Sequence, residues 1–462
     1  MRRFIREWAG LIAVSVLVLP VQSSLAKGKD PGLEKALRAL EKRGARVSAQ
    51  IVNLTNTRTL LSVDADEPLN PASSVKLFTA YAAIERLGIN FSFKTAFHVG
   101  ADGSLCVKGG GDPSFVMEDL FLVVRALKRK GLDHYSGAIR LDATVFDDEH
   151  YPEDRSDQDS ERAYNAPISG LNFNYNTISV FVNPGKKGGP AVTGLDFPFD
   201  FVKIEGTVKT GGKTDVTWDK RGKGDLEIVH LGGRIADDAD EWRKPFRIRK
   251  PIQAFGEALG TMLEQGGIPA KGKVRISEGA CTGESFYTHQ SRPLPFIVSL
   301  MDKYSNNFIA DALVKAIDHE VAKHPGSAGG GLRYIRTELM KIGIPAESKG
   351  RKVVSGSGLT DGNRVSASDF TALLKHIHRE KSFLPEIFAS LPIAGVDGTL
   401  KRKYQGSDVM ERLRGKTGTL SNVQSLVGVY PNHEGEWLSV SIIVNGGHGI
   451  PEGELARFLA AH

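Results

Sequence analysis

Pro71-Ala72-Ser73-Ser74-Val75-Lys76 is the stretch on which the reading of this chain turns. Asn70-Pro71-Ala72 leads into a helix predicted from about Ser73 to Leu87 and closed by Gly88. Positions i and i+3 share a helix face, so Ser73 and Lys76 are able to meet. A serine hydroxyl needs a base, and a lysine acts as one only when unprotonated. Burial and a neighbouring cation both favour that state. The first helical turn also offers free backbone N–H groups to a developing oxyanion. Alone, the S-x-x-K pattern is weak. Ser24-Leu25-Ala26-Lys27 repeats it, and a plain N-cap serine would look the same at position 73.

Two further elements give the pattern weight. Tyr304-Ser305-Asn306-Asn307 precedes a helix predicted from about Asn306 to Ile317. Read as S-x-N, it supplies the hydroxyl of Ser305, able to relay a proton between Lys76 and a leaving amine, and the amide of Asn307, able to hold a substrate carbonyl. Read as Y-x-N, the pair would be Tyr304 and Asn306. The other element, Lys416-Thr417-Gly418-Thr419, falls on a strand leading to Leu426-Val427-Gly428-Val429. A cation at Lys416 would lower the pKa of Lys76 and attract a carboxylate, to which Thr417 can hydrogen-bond. Gly418 would let a substrate backbone lie against the strand, and the Thr419 N–H would complete an oxyanion hole with that of Ser73. A second K-T-G, Lys209-Thr210-Gly211, precedes the Ser305 element and reads as a turn.

Competing motifs fail on single residues. A phosphate loop requires glycine five positions before its Gly-Lys pair, but Met410 stands there for Gly415-Lys416 and Thr207 for Gly212-Lys213. Ser355-Gly356-Ser357-Gly358 lacks the glycine at 355 that G-x-S-x-G needs. No Cys/His cluster has zinc-ligand spacing, so neither a metal nor any other cofactor is expected.

The chain has 462 residues, room for two or three domains, with 40% apolar and 25% charged residues, ordinary for a globular protein. Its 51 glycines favour many turns over a helical bundle. Arg2, Arg3 and Arg6, an apolar run from about Ala9 to Val21 and Ser24-Leu25-Ala26 read as an export signal over residues 1–26. The run falls short of the ~20 residues of a spanning helix, which leaves at most a peripheral membrane association. Removing the segment takes net +2 from a formal +6, and no basic stripe remains of the kind nucleic-acid binding needs. The destination is then the periplasm, where Cys106 and Cys281 either pair or stay as buried thiols. A helix over 31–43, a hairpin of Arg46–Leu54 and Thr59–Val63, and the serine helix occupy the start; helices at Gly331–Ile342, Ser368–Arg379 and Leu384–Ser390, a hairpin, and a last helix from about Glu452 to Ala460 occupy the end. Glycine-rich turns and short strand-like runs lie between, with one helix over about Val116–Lys130. The expected organisation is a discontinuous α/β domain, 27–98 plus 288–462, with an antiparallel sheet flanked by helices and a β-rich insertion at 99–287.

S-x-x-K early, S-x-N in the middle and K-T-G near the final hairpin is the order shared by penicillin-binding proteins and serine β-lactamases. More specifically, the chain resembles the D-alanyl-D-alanine carboxypeptidase/endopeptidase family, the low-molecular-mass class C penicillin-binding proteins. The resemblance rests on Pro71–Lys76, Gly109-Gly110-Gly111-Asp112-Pro113, Phe146-Asp147, Tyr164-Asn165-Ala166-Pro167, Ser305-Asn306-Asn307-Phe308 with Ala310, Gly356-Ser357-Gly358-Leu359, and Leu391–Leu400. It settles the S-x-N register. It also accounts for the 232 positions between Ser73 and Ser305 by inserted domains, a gap far longer than in β-lactamases. It implies cleavage of D-Ala-D-Ala ends or D-amino-acid cross-links of peptidoglycan stem peptides through an acyl-enzyme on Ser73, with β-lactams as covalent inhibitors. A β-lactamase or esterase of the same fold, or an inactive wall-binding protein, is the alternative. One departure concerns substrate: Asp361 stands where the family often has arginine, with Arg364 three positions on.

Overall fold

The computed structural model describes residues 32–462 apart from 154, 156–159, 349 and 381–383. The predicted export segment and the Ser24–Lys27 repeat lie outside the described residues.

The first sheet has five antiparallel strands in the order Arg414–Leu420, Val423–Pro431, Trp437–Asn445, Arg46–Asn53, Thr59–Val63. Strands from early and late in the sequence therefore meet in one sheet. Alternation along Trp437–Asn445 explains how its two faces are used. Leu438, Val440, Ile442 and Val444 pack with Leu33, Leu37, Leu455 and Leu459 of the first and last helices, Gly32–Glu41 and Glu452–Ala460. Ser439, Ser441 and Ile443 face the other way. Small polar residues there let the helix Ala367–Arg379 approach closely: Thr371 Oγ1 lies 3.3 Å from Ser441 Oγ, and Ser48 Oγ accepts from Ala367 N at 3.0 Å.

Helices fill that second face. Asn307–Ala322 is buried on every side from Phe308 to Asp318, packed between Lys76–Leu87 and Ala328–Lys341. A helix buried all round sits in the centre of its layer, and its charged residues Asp311 and Lys315 are met by ion-pair partners there. The helices Leu294–Tyr304 and Leu384–Ser390 complete this layer.

The chain enters its second body along Lys94–Val99 and returns along Tyr287–Gln290, and these two strands pair. They belong to a mixed five-stranded sheet, ordered Arg275–Glu278, Ala138–Asp142, Leu105–Lys108, Lys94–Val99, Tyr287–Gln290. Two helices, Met117–Arg129 and Pro251–Gln265, share a core with this sheet and with a three-stranded and a four-stranded sheet built from residues 177–247. Only the first helix was expected. In the second, Gly256 and Gly260 interrupt the apolar pattern, although Gly256 is needed: a Cβ there would meet Ile276 Cγ2 and Leu141 Cδ1, both at 2.9 Å. Lys209–Thr210, expected as a turn, is a two-residue strand paired with Arg234–Ile235, and the turn follows it. Cys106 and Cys281 form a disulfide across 175 positions, with Cα atoms 5.6 Å apart.

Two buried contacts tie the second body to the helical layer. Arg155 pairs with Asp311 of the central helix and donates to Asn165 Oδ1 at 3.1 Å. Lys315 of the same helix pairs with Asp147 and donates to Glu149 O.

Joining positions so far apart restricts the unfolded chain, so the double variant Cys106→Ala/Cys281→Ala should lose about 2–4 kcal/mol of stability. Urea unfolding of the oxidised wild type, the reduced wild type and the variant checks this: the last two should coincide.

Candidate active site

Ser73 stands on a 3-10 turn, Ala72–Val75, that precedes the helix Lys76–Leu87. The preceding Ala72 is fully buried with φ +47°, a left-handed conformation that L-residues adopt only when their surroundings impose it. Asn70 Oδ1 accepts from Ala72 N at 2.9 Å, and Asn70 Nδ2 donates to Thr360 O at 3.1 Å. Asn445 braces Asn70 through its backbone N–H and carbonyl. Ser425 Oγ donates to Pro71 O at 2.6 Å, and Ser74 Oγ lies 2.8 Å from Ser425 Oγ and 3.2 Å from Lys416 O. Gly358, φ +79°, completes the cage, since a Cβ there would lie 2.1 Å from Ala72 O.

The strand carrying Lys416, Thr417, Gly418 and Thr419 is the edge of the first sheet and passes against this turn. The space a Cβ would take at Gly418 is filled by Ser425 Oγ at 2.3 Å and Pro71 O at 2.4 Å. Glycine at 418 is therefore required by packing on the serine turn, a reason separate from substrate approach. Thr419 is exposed beyond it.

Lys76 is fully buried. Its Nζ lies 3.0 Å from Ser73 Oγ, donates to Asn307 Oδ1 at 2.7 Å and donates to Ser357 O. Two of the three neighbours can only accept. A neutral amine would spend its two N–H groups on them and keep its lone pair for the Ser73 hydroxyl. The electrostatics agree: burial first, then the charge of Lys416, push the Lys76 pKa well below its ordinary value, with Arg155 adding to the effect and Asp302 opposing it.

Lys416 is also fully buried, with Nζ donating to Ser305 Oγ at 2.9 Å and to Thr417 O at 2.6 Å. Burial brings its pKa down to about 8, opposed by Asp302. Ser305 caps the helix Leu294–Tyr304 in a left-handed conformation, φ 55°. Asn306 caps the next helix, its side chain accepting from Ile309 N at 3.1 Å, so this middle position is a helix cap. Between them the two caps turn Ser305 toward Lys416 and Asn307 toward Lys76, whereas Tyr304 is 70% exposed. The Y-x-N alternative has no such geometry.

Ser73, Lys76, Ser305, Asn307 and Lys416 thus come together, with Thr417 alongside. Four neighbours escaped the motif reading. Tyr164 O accepts from Asn307 Nδ2 at 3.3 Å, and Thr399 Oγ1 lies 2.7 Å from Thr417 Oγ1. Ser357 supplies its carbonyl to Lys76. Asp302 lies fully buried one turn before Ser305. The first three fall within stretches that carry the family resemblance, which was their only signal. Arg364, three positions after Asp361, folds back onto the carbonyls of Asp361 and Asn363 at 2.6 and 2.7 Å. Hollows also exist elsewhere: one of about 730 Å³ lies beside Glu257, Glu264 and Glu278, and another of about 750 Å³ beside Arg38, Glu41 and Asp64. Neither is lined by a serine with a lysine.

Residues 32–457 match the D-Ala-D-Ala carboxypeptidase 3 (S13) family. A D-alanyl-D-alanine carboxypeptidase from Actinomadura sp. (strain R39) is 31% identical over 446 residues, which cover 91% of this chain and 80% of the relative. The D-alanyl-D-alanine carboxypeptidase DacB of Haemophilus influenzae is 26% identical over 421 residues, 87% of this chain and 86% of that one. The crystal structure of penicillin binding protein 4 from Haemophilus influenzae superposes with a TM-score of 0.76 at 24% identity, over 92% of this chain and 97% of that one; its complex with a β-lactam superposes at 0.71.

Gly358→Ala tests the cage around the serine. Left-handed backbone and an occupied Cβ position combine, so the variant should lose about 2 kcal/mol or more of stability. Thermal unfolding beside Gly350→Ala, where the nearest atom to a Cβ is 3.4 Å away, separates the two effects.

Proposed function

The chain belongs to the D-Ala-D-Ala carboxypeptidase 3 (S13) family, and we propose that it hydrolyses the D-Ala-D-Ala ends of peptidoglycan stem peptides, and their D-amino-acid cross-links, through an acyl-enzyme on Ser73. The observation that carries this is the buried Lys76 Nζ, 3.0 Å from Ser73 Oγ and with its other neighbours at Asn307 Oδ1 and Ser357 O.

In this reading neutral Lys76 takes the Ser73 proton as Oγ attacks the carbonyl of the penultimate D-alanine. The N–H groups of Ser73 and Thr419 stabilise the oxyanion. Cationic Lys416 and the Thr417 hydroxyl hold the terminal carboxylate, and the substrate backbone runs along the edge strand. The proton passes from Lys76 toward the leaving amine through Ser305, whose hydroxyl stays bonded to Lys416. Asn307 orients Lys76 and meets the peptide carbonyl. Water then attacks the acyl-enzyme with Lys76 again as base. The Haemophilus protein of the same fold binds a β-lactam; here a β-lactam would acylate Ser73 in the same way as the peptide.

We place this reaction in the periplasm, residues 1–26 serving as export signal and the Cys106–Cys281 disulfide fitting an oxidising compartment. Among the described residues no helix is long and apolar enough to cross a membrane. The working division is a catalytic unit of residues 27–98 with 288–462 and an insertion of 99–287.

A labelled β-lactam should bind covalently to the wild type and not to Ser73→Ala; equal labelling would remove Ser73 from its role. Mass spectrometry on defined muropeptides should detect released D-alanine. Rapid antibiotic turnover without that release would favour a β-lactamase. The acylation rate should be bell-shaped in pH. It rises as pH climbs through the lowered pKa of Lys76, which must be neutral, and falls through that of Lys416, which must be cationic. Lys416→Ala should abolish the alkaline limb and raise KM for carboxylate-bearing substrates more than it lowers kcat.

A further inference from the structure

We propose that Asp302 is a positioning residue of this site: it is the buried counter-charge that keeps Lys416 cationic while Lys76 remains neutral. The proposal rests on the roles given to the two lysines above.

Asp302 is fully buried in the last turn of the helix Leu294–Tyr304, three positions before Ser305, whose N–H reaches the Asp302 backbone carbonyl at 3.4 Å. Among the described residues its carboxylate has one hydrogen-bonding neighbour, Ser390 Oγ, 2.8 Å from Oδ2. That hydroxyl also lies 2.7 Å from Ile387 O, so its single proton serves two acceptors. Oδ1 is buried without a partner. A carboxylate kept this way is costly to folding, and a structural role would be better filled by an amide or an apolar side chain.

The surrounding charges give it a purpose. Lys303, the next residue, is already neutralised by Asp397 at 2.6 Å and bonded to Leu391 O. Arg155, which acts on Lys76 from the inserted segment, is paired with Asp311. Among the described residues whose charges act on one another here, those left fully buried without an ion-pair partner are Lys76 on the serine helix, Lys416 on the edge strand, and Asp302. Two cations and one anion out of water reach their least costly state when one lysine gives up its proton and the other keeps it. Asp302 is the one charge that opposes the desolvation of Lys416. For Lys76 its support is countered by both Lys416 and Arg155. Lys76 is therefore the lysine that deprotonates. Conversely, the two lysines and Lys303 oppose the effect of burial on Asp302, whose pKa burial pushes up to about 7. Above that value the carboxylate is charged and opposes the loss of the Lys416 proton.

The test is Asp302→Asn, which keeps the shape and can still accept from Ser390. The rate of Ser73 acylation by a fluorescent penicillin, and kcat and KM on a D-Ala-D-Ala peptide, are followed from about pH 5 to about pH 10. Loss of the counter-charge should move both limbs of the profile to lower pH, the alkaline one by about one unit or more. At alkaline pH, KM for the peptide should rise several-fold, while the rate on the acid side equals or exceeds that of the wild type. Ser390→Ala removes the carboxylate's donor, so it should raise the Asp302 pKa and shift the alkaline limb in the same direction by less. It also keeps the question decidable if the Asn variant fails to fold. Unmoved limbs with a uniform loss of rate in the variants that fold would overturn the proposal and leave Asp302 a packing residue. A wild type that is never acylated at any pH would instead sink the reading of Ser73 itself.

Discussion

Two lysine side chains held fully out of water, with no carboxylate in direct contact with either among the described residues, are the constraint around which this molecule is arranged. Removing an ammonium group from water is so unfavourable that a lysine in such a place gives up its proton unless other charges prevent it. The fold exploits this twice with different results. Lys76 is surrounded by Ser73 Oγ, Asn307 Oδ1 and Ser357 O, a set that suits a neutral amine. Lys416, with Ser305 Oγ and Thr417 O, keeps a higher pKa under the influence of Asp302. In the proposed mechanism, base and cation are thus the same residue type, told apart by what lies around them.

Holding these groups in place requires a strained turn, and the strain is carried by polar side chains rather than by hydrophobic packing. Ala72 is kept left-handed by Asn70, which Asn445 braces from the far end of the strand Trp437–Asn445. Ser425 reaches Pro71 O from the neighbouring strand, and Gly418 brings the edge strand against the same carbonyl. The serine turn is consequently joined to three consecutive strands of the first sheet. This explains why strands from early and late in the sequence must meet there. Both share that sheet, and residues beyond position 414 supply most of the contacts that hold residues 70–74.

Much of the frame was legible because it depends on local pattern. The strand Thr59–Val63 and the helix Glu452–Ala460 fall where alternation and helical spacing put them. The helix expected from Ser73 instead opens at Lys76 after a 3-10 turn, because the cage around Ala72 overrides the local preference. The helix expected from Gly331 begins at Ala328. Gly330 and Gly331 look like a loop but are forced by the central helix, since a Cβ would lie 2.1 Å from Asp318 Cγ at the first and 1.9 Å from Val314 O at the second. The helix Pro251–Gln265 was hidden for the same reason, glycine being used for close approach to a sheet. At the site, motif spacing located the serines, lysines and Asn307 before any geometry was known. Asn70, Tyr164, Thr399 and Asp302 carry no comparable spacing. Tyr164 and Asn307 stand 143 positions apart, and Asn70 and Asn445 stand 375 apart.

The stretch of chain between the first two motifs is more than an appendage to this site. Tyr164 O receives one N–H of Asn307, the residue whose Oδ1 holds Lys76, so that stretch helps fix which way the amide points. A flip would present N–H groups to Lys76 Nζ and cost the base one of its two acceptors. Nearby, Arg155 enters the helical layer and pairs with Asp311, one turn beyond Asn307 on the same helix, while its charge also bears on Lys76. Position and charge state of Lys76 are therefore both set partly from the segment that carries Arg155 and Tyr164, far from the three motifs in sequence. Any displacement of that segment would reach Lys76 through Asn307 and Arg155 together. This gives the segment a physical route to Ser73 through Lys76, with no hydrogen bond to Ser73 of its own among the described residues.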